Sequence, residues 1–291
     1  MLKMDPARMR DRVYSIEELA TLPSAVVRIL SITQDPSSTA LDLAAEIVKD
    51  PVLTMKVLRT VNSSFFGFNR RIQTVSDAVI LLGFTEVERI ALAISLINLL
   101  GGDRDRARGL TQLWRHSLVA SISADLITES EEERTPEYAG VHVAALLHDI
   151  GKAVIGQYFP EVAAETLRRM EQEEVASFEA EREIMGGISH AEIGAWLADR
   201  WSLPLPLVEA ILLHHSPEEA DDNQPLVGVA HLADVVCYEL EVPSLILETR
   251  SCIVKAQPVD GLSLGEELLG RVRQRLDRQR NLIGAIAARS L

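Results

Sequence analysis

Apolar residues recur at helical spacing along most of the chain, and this periodicity constrains the fold more than any other feature. In the first clear case, Leu22, Val26 and Ile29 fall on one face of a helix. No segment shows the sustained alternation of apolar and polar residues that is typical of a half-buried strand. The sequence therefore predicts an all-α protein without a sheet of consequence.

Proline, glycine and polar residues divide this pattern into successive helices. A first group is predicted at 22–33, 41–49, 53–61, 75–82 and 87–100. A second group is predicted at 110–127, 137–155, 160–185, 189–201, 206–215, 226–240 and 264–288. Three pairs have the spacing of a capping box, which favours a helix start: Ser15 with Glu18, Thr85 with Glu88, and Ser189 with Glu192.

A glycine pair followed by a charged run separates the two groups. Gly101, Gly102 and Asp103 precede charged residues that continue to Arg108. We predict two packed helical bundles, with one domain at 1–103 and the other at 104–291. Within the second bundle, the acidic stretch 129–134 is predicted to be a solvated link.

Composition excludes several classes of function. The net charge of −14 and the 4% of aromatic residues argue against nucleic-acid binding, which needs basic surfaces or stacking platforms. The longest apolar run, 90–100, is too short to span a bilayer, and MLKMDPARMR lacks the apolar core of a secretory signal. Cys237 and Cys252 have no ligand-type spacing, so we expect free thiols in a reducing cytoplasm.

The arginine-rich helix near the carboxyl end admits two interpretations. Between 264 and 288, apolar residues recur at helical spacing while arginines occupy the other faces. The simpler interpretation is a packed helix with a solvated basic face. The alternative is the seam of a homodimer.

Two aspartates on apolar helices indicate a buried site. The helix around VHVAALLHDIGKAVIG is apolar on nearly every side, and near its end it carries adjacent His148 and Asp149. Asp234 falls on an apolar stripe of the helix at 226–240. Because an unpaired buried carboxylate is very costly, each aspartate needs a cation or strong hydrogen-bond donors.

The remaining histidines fall on predicted helices or at their ends: His116, His142, His190, His214, His215 and His231. Any one of them taken alone would usually be a core or cap residue, and we assign that structural role to His142 and His231. The other residues form the ordered pattern H…HD…H…HH…D. This pattern is typical of a metal site rather than of isolated structural residues.

Longer phrases carry a resemblance to a known family. They are LPSAVVRIL, AAEIVKDPVLTMKVLRTVNSSFFGF, VSDAVILLGFTEVERIAL, LWRHS, ALLHDIGK, SHAEIGAWLADRWSLP and AILLHH. Over about residues 20 to 240, the chain resembles the HDOD (HD-related output domain) proteins of bacterial signalling, within the HD superfamily of metal-dependent phosphohydrolases. The resemblance implies an amino-terminal bundle peculiar to HDOD proteins and a carboxy-terminal bundle related to HD hydrolases.

The resemblance also implies a ligand set. One metal ion would be held by His116, His148, Asp149 and Asp234. In the binuclear branch, Asp149 would bridge to a second ion held by His190, His214 and His215. Lys152 matches a lysine that contacts substrate phosphate in the HD-GYP relatives, so a catalytic site would use Lys152 and Asp149. Mixed histidine and carboxylate ligation suits Fe, Mn, Ni or Zn, and no other cofactor is implied.

Two functions remain open at this point. By resemblance to HDOD proteins, the chain is a signalling output module that binds a signalling protein or a small nucleotide-like ligand. The alternative is a phosphohydrolase or phosphodiesterase acting on a nucleotide or cyclic dinucleotide, with metal ions activating water and clamping the phosphoryl group. SPEEADDNQPL follows His215 where HD-GYP proteins have a GYP segment, which argues against cyclic di-GMP.

Overall fold

The computed structural model describes residues 5–35, 37–62, 71–100, 104–129, 138–245 and 265–288. Within these ranges the regular structure is helical and no strand occurs. The prediction of an all-α protein is confirmed. No helix in the described ranges is both long enough and apolar enough to cross a membrane.

The first six helices lie before residue 101. They are α1 (Pro6–Tyr14), α2 (Ser24–Gln34), α3 (Ala40–Val48), α4 (Pro51–Val61), α5 (Val75–Leu82) and α6 (Phe84–Leu100). Asp50 separates α3 from α4, because its carboxylate accepts the N–H groups of Val52 and Leu53 and Pro51 starts the new helix. Helices α2 to α6 pack against one another.

Nine helices follow in the part of the chain described from residue 104 onward. They are α7 (Arg104–Thr128), α8 (Val141–Leu147), α9 (Ile150–Tyr158), α10 (Pro160–Glu173), α11 (Ser177–Ile184), α12 (His190–Arg200), α13 (Leu205–Leu213), α14 (Gln224–Glu239) and α15 (Glu266–Ala288). Helix α7 is central to this group, because it packs against α8, α9, α14 and α15.

One continuous hydrophobic core joins both groups of helices. Helix α6 contacts α7, α8 and α9, and α1 packs on α12 in the second group. The contact with α12 is also polar, because Trp201 Nε1 donates to the Leu19 carbonyl at 3.0 Å and Arg200 donates to the Ile16 carbonyl at 3.1 Å. The chain's amino end therefore packs on the second group, and the boundary between 103 and 104 stays a prediction.

Several sequence predictions fall on or near undescribed residues. The glycine boundary, 101–103, lies outside the described residues, and so does the acidic link beyond residue 129. The charged run that was expected to belong to the boundary is helical from Arg104, as the first turn of α7.

Two long helices predicted from periodicity are each broken in the structure. The predicted helix at 160–185 ends as α10, because Glu174 adopts a left-handed conformation with φ of 54°, and it resumes as α11. The predicted helix at 137–155 divides into α8 and α9 at His148 and Asp149. Both breaks lie within apolar patterns that continue at helical spacing, so periodicity alone does not reveal them.

The capping predictions have mixed outcomes. Ser189 and Glu192 form the predicted capping box at the start of α12. Ser15 instead follows the end of α1, a helix that was not predicted, and its hydroxyl donates to the Arg12 carbonyl at 2.8 Å. Thr85 lies inside α6, where the side chain of Glu88 is buried and does not cap. At Glu88, tertiary contacts with Thr33 and His142 outweigh the local capping interaction.

Candidate metal centre

The break between α8 and α9 places His148 and Asp149 at the centre of the second group of helices. Asp149 has φ of −97° and ψ of 12°, and it occupies the cap position of α9. An aspartate at that position usually caps the helix with its side chain. Here it makes no such cap, and its carboxylate instead faces histidines from other helices.

The other candidate ligands reach the same place from four further helices. His116 lies within α7, His190 begins α12, and Asp234 lies within α14. His214 and His215 follow the last residue of α13. Six of the seven residues are buried, and His215 keeps partial exposure. The structure thus brings together all seven residues singled out from the sequence.

Four of them form a first cluster, whose potential ligand atoms lie within 4.8 Å of one another: His116, His148, Asp149 and Asp234. Asp234 Oδ1 lies 3.0 Å from His116 Nε2 and 3.5 Å from His148 Nε2. Asp149 Oδ2 lies 3.6 Å from each of these two nitrogens. Two imidazoles and two carboxylates therefore surround one point.

A second cluster meets the same distance criterion and shares the aspartate: Asp149, His190, His214 and His215. Here the other carboxylate oxygen faces the histidines, because Asp149 Oδ1 lies 3.1 Å from His190 Nε2 and 3.8 Å from His214 Nε2. Asp149 thus directs one oxygen to each cluster, which is the arrangement of a bridging ligand.

Hydrogen bonds on the outer nitrogen orient four of the imidazoles. In each of them Nδ1 lies 2.7–2.8 Å from an acceptor oxygen: His116 from the Val242 carbonyl, His148 from that of Ala145, His214 from that of Ile211, and His190 from the Glu181 carboxylate. Because these oxygens accept hydrogen bonds, Nδ1 must carry the proton. The Nε2 atoms that face the clusters are therefore available as ligands.

The inner nitrogens fit a cation. His116 Nε2 lies 3.1 Å from His148 Nε2, and His190 Nε2 lies 3.0 Å from His215 Nε2. Two lone pairs at such a distance repel each other unless a proton or a metal ion lies between them. Among the described residues, the buried His214 Nε2 also lacks a hydrogen-bond partner. The donor set suits a divalent transition metal, since imidazole and carboxylate are ligands that Mn, Fe and Zn accept.

The surroundings favour the protonation states that metal ligands need. Burial opposes charge on Asp149, but Lys152 and nearby histidines hold the pKa of its carboxyl well below the usual range. Burial likewise opposes charge on Asp234, but the neighbouring imidazoles of His116 and His148 hold the pKa of its carboxyl well below the usual range. Both carboxylates are therefore ionised at neutral pH.

Two of the histidines are neutral because, unlike at the aspartates, nothing nearby overcomes the cost of burying their charge. Burial lowers the pKa of His214 and of His215 well below the usual range, and neighbouring histidines lower it further. His190 differs: burial opposes its charge, but Glu181 and Asp149 raise its pKa to about 9. Without a metal ion His190 therefore keeps a proton, which a bound cation would displace.

Lys152 lies beside the shared aspartate and is buried. Its Nζ donates to Asp149 Oδ2 at 3.0 Å and to Ser244 Oγ at 2.6 Å. The sequence placed it on one continuous helix with His148, four residues later. The helix break corrects that placement, because Lys152 belongs to the first turn of α9 and faces Asp149. Its contacts compensate the charge of the aspartate.

Sequence reasoning missed two residues that support the centre. Glu181 is buried and contacts both the backbone N–H and Nδ1 of His190 at 2.7 Å. A signal for it existed, because Glu181 lies on an apolar stripe of α11 as Asp234 does on α14. Ser244 lies after the end of α14, and no sequence pattern pointed to it, because only the tertiary fold brings it next to Lys152.

The two histidines assigned structural roles lie outside both clusters. His142 Nε2 lies 3.1 Å from Glu88 Oε2, which places it against α6. His231 Nδ1 donates to the His214 carbonyl at 2.8 Å. Sequence reasoning gave His231 no part in the site, but it supports the turn that carries His214.

A family model and several solved structures match this chain. The HDOD domain model matches residues 19–217. An HDOD domain protein of unknown function from Geobacter sulfurreducens is 25% identical with a TM-score of 0.71, and the match covers 99% of each chain. A protein assigned to signal transduction from Marinobacter aquaeolei VT8 is 25% identical with a TM-score of 0.72, covering 92% of this chain and 59% of that one.

A curated relative matches at similar identity. An uncharacterized protein of Treponema pallidum (strain Nichols) is 28% identical over 227 residues, which is 78% of this chain and 43% of that protein. The chain thus spans less than half the length of this relative. The family model ends before Asp234, whereas the match to the Geobacter sulfurreducens protein covers 99% of the chain.

Proposed function

Since the chain belongs to the HDOD domain family, we propose that it is a regulatory output module that acts by binding, around a metal centre of one or two ions. The proposed ligands are the seven residues of the two clusters. The match to the HDOD domain and the neighbour assigned to signal transduction both support an HD-like regulatory module. The partner proposed is a signalling protein or a small nucleotide-like ligand.

One observation carries the metal proposal: two buried clusters share the carboxylate of Asp149, one oxygen each. A buried carboxylate can be compensated by a salt bridge alone, and Lys152 supplies one. It does not account for the inward Nε2 atoms of neutral histidines such as His214, which can only accept because Nδ1 carries the proton. Bound cations would satisfy both the carboxylates and these nitrogens.

In this proposal the protein's own residues hold the metal ligands in fixed positions inside the core. Glu181 and the carbonyls behind His116, His148 and His214 hold the imidazoles in place. The ligands come from four helices, α7, α12, α13 and α14, and from the junction of α8 and α9. A partner that shifts any of these helices would therefore change the centre, and loading of the centre would change how the helices pack.

The second candidate function is a metal-dependent phosphohydrolase. The observation in its favour is the position of Lys152, whose ammonium lies next to the bridging carboxylate. Ions in the centre would polarise a phosphoryl group and activate water. The lysine would have to leave Asp149 and Ser244 to contact substrate, and it is buried between them. This burial is why we rank the binding function first.

Metal analysis of untagged protein tests the proposal. We expect the wild-type chain to retain Mn, Fe, Ni or Zn after dialysis, and Asp149→Asn to lose most of it because both clusters depend on that residue. Asp221→Asn is the matched control, since Asp221 is an exposed aspartate that belongs to neither cluster. Equal metal content in Asp149→Asn and wild type would refute this centre.

Activity screens on the same preparations rank the two functions. We expect no phosphatase or phosphodiesterase turnover of nucleotides or cyclic dinucleotides with added Mn or Fe. Turnover that is present in wild type, is retained in Asp221→Asn and is absent from Asp149→Asn would instead establish the hydrolase.

A further inference from the structure

We propose that a cavity at the amino ends of α8, α13 and α14 is a second binding site, which takes a small, uncharged, mainly apolar molecule carrying one hydrogen-bond donor. The cavity has a volume of about 290 Å³. This is near the lower end of the range for small-molecule sites, roughly 300–1,000 Å³. Such sites are concave and mostly apolar, with a few polar groups that orient the ligand.

The wall of the cavity is mainly hydrocarbon. Four buried side chains, each from a different helix, contribute to it: Leu30, Val143, Leu207 and Leu226. Three prolines near the starts of α13 and α14 add rigid apolar surface. Because the walls come from helices that are packed elsewhere in the core, the cavity is preformed, and a ligand would not have to order it.

The polar groups at the cavity select against charged ligands. Asp222 lies on the rim and is exposed, and the chain as a whole carries a net charge of −14, so an anion is disfavoured. The amino ends of helices carry partial positive charge, which disfavours a cation inside. The Asp222 carboxylate can accept a hydrogen bond, and this favours an uncharged ligand with one donor at the rim.

The same helices that begin at this cavity lead to the metal centre. Helix α8 ends at His148, α13 ends at His214, and α14 carries Asp234. The seven residues of α8 span about 10 Å at 1.5 Å per residue, so the two sites are close. An effector role for the ligand rests on the proposed function, whereas the binding site itself does not.

A hydrogen-bonded chain gives a second connection. Thr33 lines the cavity and donates to Glu88, whose other carboxylate oxygen lies 3.1 Å from Nε2 of His142. His142 lies in the first turn of α8. A molecule packed against Thr33 and Val143 would therefore restrain α8 through both its apolar and its polar contacts, and we expect slower exchange of backbone amides at residues 147–151.

Titration of the metal-free 291-residue chain with indole tests the site, because indole is apolar, uncharged and carries one N–H donor. Calorimetry and ligand-observed NMR should give a dissociation constant of about 1 mM or tighter, which is the scale for so small a ligand. Ala139→Trp, at the exposed rim, should fill the entrance and weaken binding by at least about 10-fold. Ala45→Trp, exposed on α3 away from the cavity, should leave it unchanged.

Pro206→Trp provides a second blocking variant if Ala139→Trp melts below wild type. 1-Methylindole, which lacks the donor, should bind about 3- to 10-fold more weakly, the scale of one hydrogen bond. Absence of indole binding, or equal binding by wild type and both blocking variants, would overturn the site. Binding without slower exchange at 147–151 would overturn its connection to α8. Because the protein is metal-free in every arm, these outcomes are independent of whether the centre binds metal.

Discussion

At the scale of single residues, the centre depends on the ion pair or hydrogen bond that each buried charged or polar atom makes. Asp149 contacts both clusters and Lys152, and four histidines have their outer nitrogen fixed by an acceptor. Glu181 is the only carboxylate among those acceptors, so it adds a full negative charge behind His190. A carboxylate behind a histidine raises its basicity as a ligand.

We therefore expect Glu181→Gln to weaken metal affinity by about 10- to 100-fold, as is usual when such a supporting partner is lost. Competition with a fluorescent chelator would measure the change. Glu179→Gln is the matched control, because Glu179 is exposed on the same helix. If both variants bind metal as tightly as wild type does, Glu181 has no supporting role.

Lys152 gives a second prediction at this scale. Lys152→Met removes the cation that compensates a buried carboxylate, a change that typically costs about 3–5 kcal/mol. We expect the loss in urea unfolding of metal-free protein, and a smaller loss when metal ions supply the compensating charge. Arg59→Met, at an exposed position on α4, should change stability by no more than about 0.5 kcal/mol. Equal losses with and without metal would argue that Lys152 and the metal do not share Asp149.

At the scale of helices, the close crossing of α9 and α12 brings the two clusters together. Gly151 faces the backbone of α12, and a Cβ atom there would lie 1.9 Å from the His190 carbonyl oxygen. Gly194 occupies the matching position on α12, where a Cβ would lie 3.3 Å from the Gly151 nitrogen. The absence of side chains at both positions lets Asp149 approach His190.

Gly151→Ala should therefore force α9 and α12 apart, with a loss of stability of about 1–3 kcal/mol or more from overpacking and a loss of bound metal. Gly156→Ala on the same helix meets no atom within 4 Å, and it should be neutral or stabilising by up to about 1 kcal/mol. Melting temperature and metal content would be compared for the two variants. Similar behaviour of both would contradict the role of the crossing.

At the scale of the whole molecule, a polar contact connects the two groups of helices inside their common core. Glu88 on α6 contacts Thr33 on α2 and His142 on α8, and it is fully buried. Nearby, Arg89 donates to Ser121 on α7 at 2.8 Å and pairs with Glu86 and Asp125. These contacts cross from the first group to α8, which ends at His148, and to α7, which carries His116.

A double-mutant cycle on Glu88→Gln and His142→Gln would measure this connection. We expect the two changes to be non-additive, with a coupling of roughly 0.5–3 kcal/mol in chemical unfolding, as found for residues that share a buried network. Pairing Glu88→Gln with the exposed Glu179→Gln should give additive effects within about 0.5 kcal/mol. Additivity of the buried pair would show that the contact between Glu88 and His142 does not couple the two groups.

The sequence by itself determined the all-α class and most helix bounds, since periodicity is a local property of the chain. Buried charge and the ordered histidine pattern indicated a metal site, and the family resemblance implied the seven residues of the clusters. The tertiary structure alone decided that Asp149 directs one oxygen to each cluster, that Glu181 supports His190, and that Lys152 is held by Ser244. These contacts join residues far apart in sequence, and some replace a local interaction. The side chain of Asp149 does not cap α9. In its buried position it contacts histidines on α7 and α12 instead, because these contacts compensate its charge better than a cap hydrogen bond would.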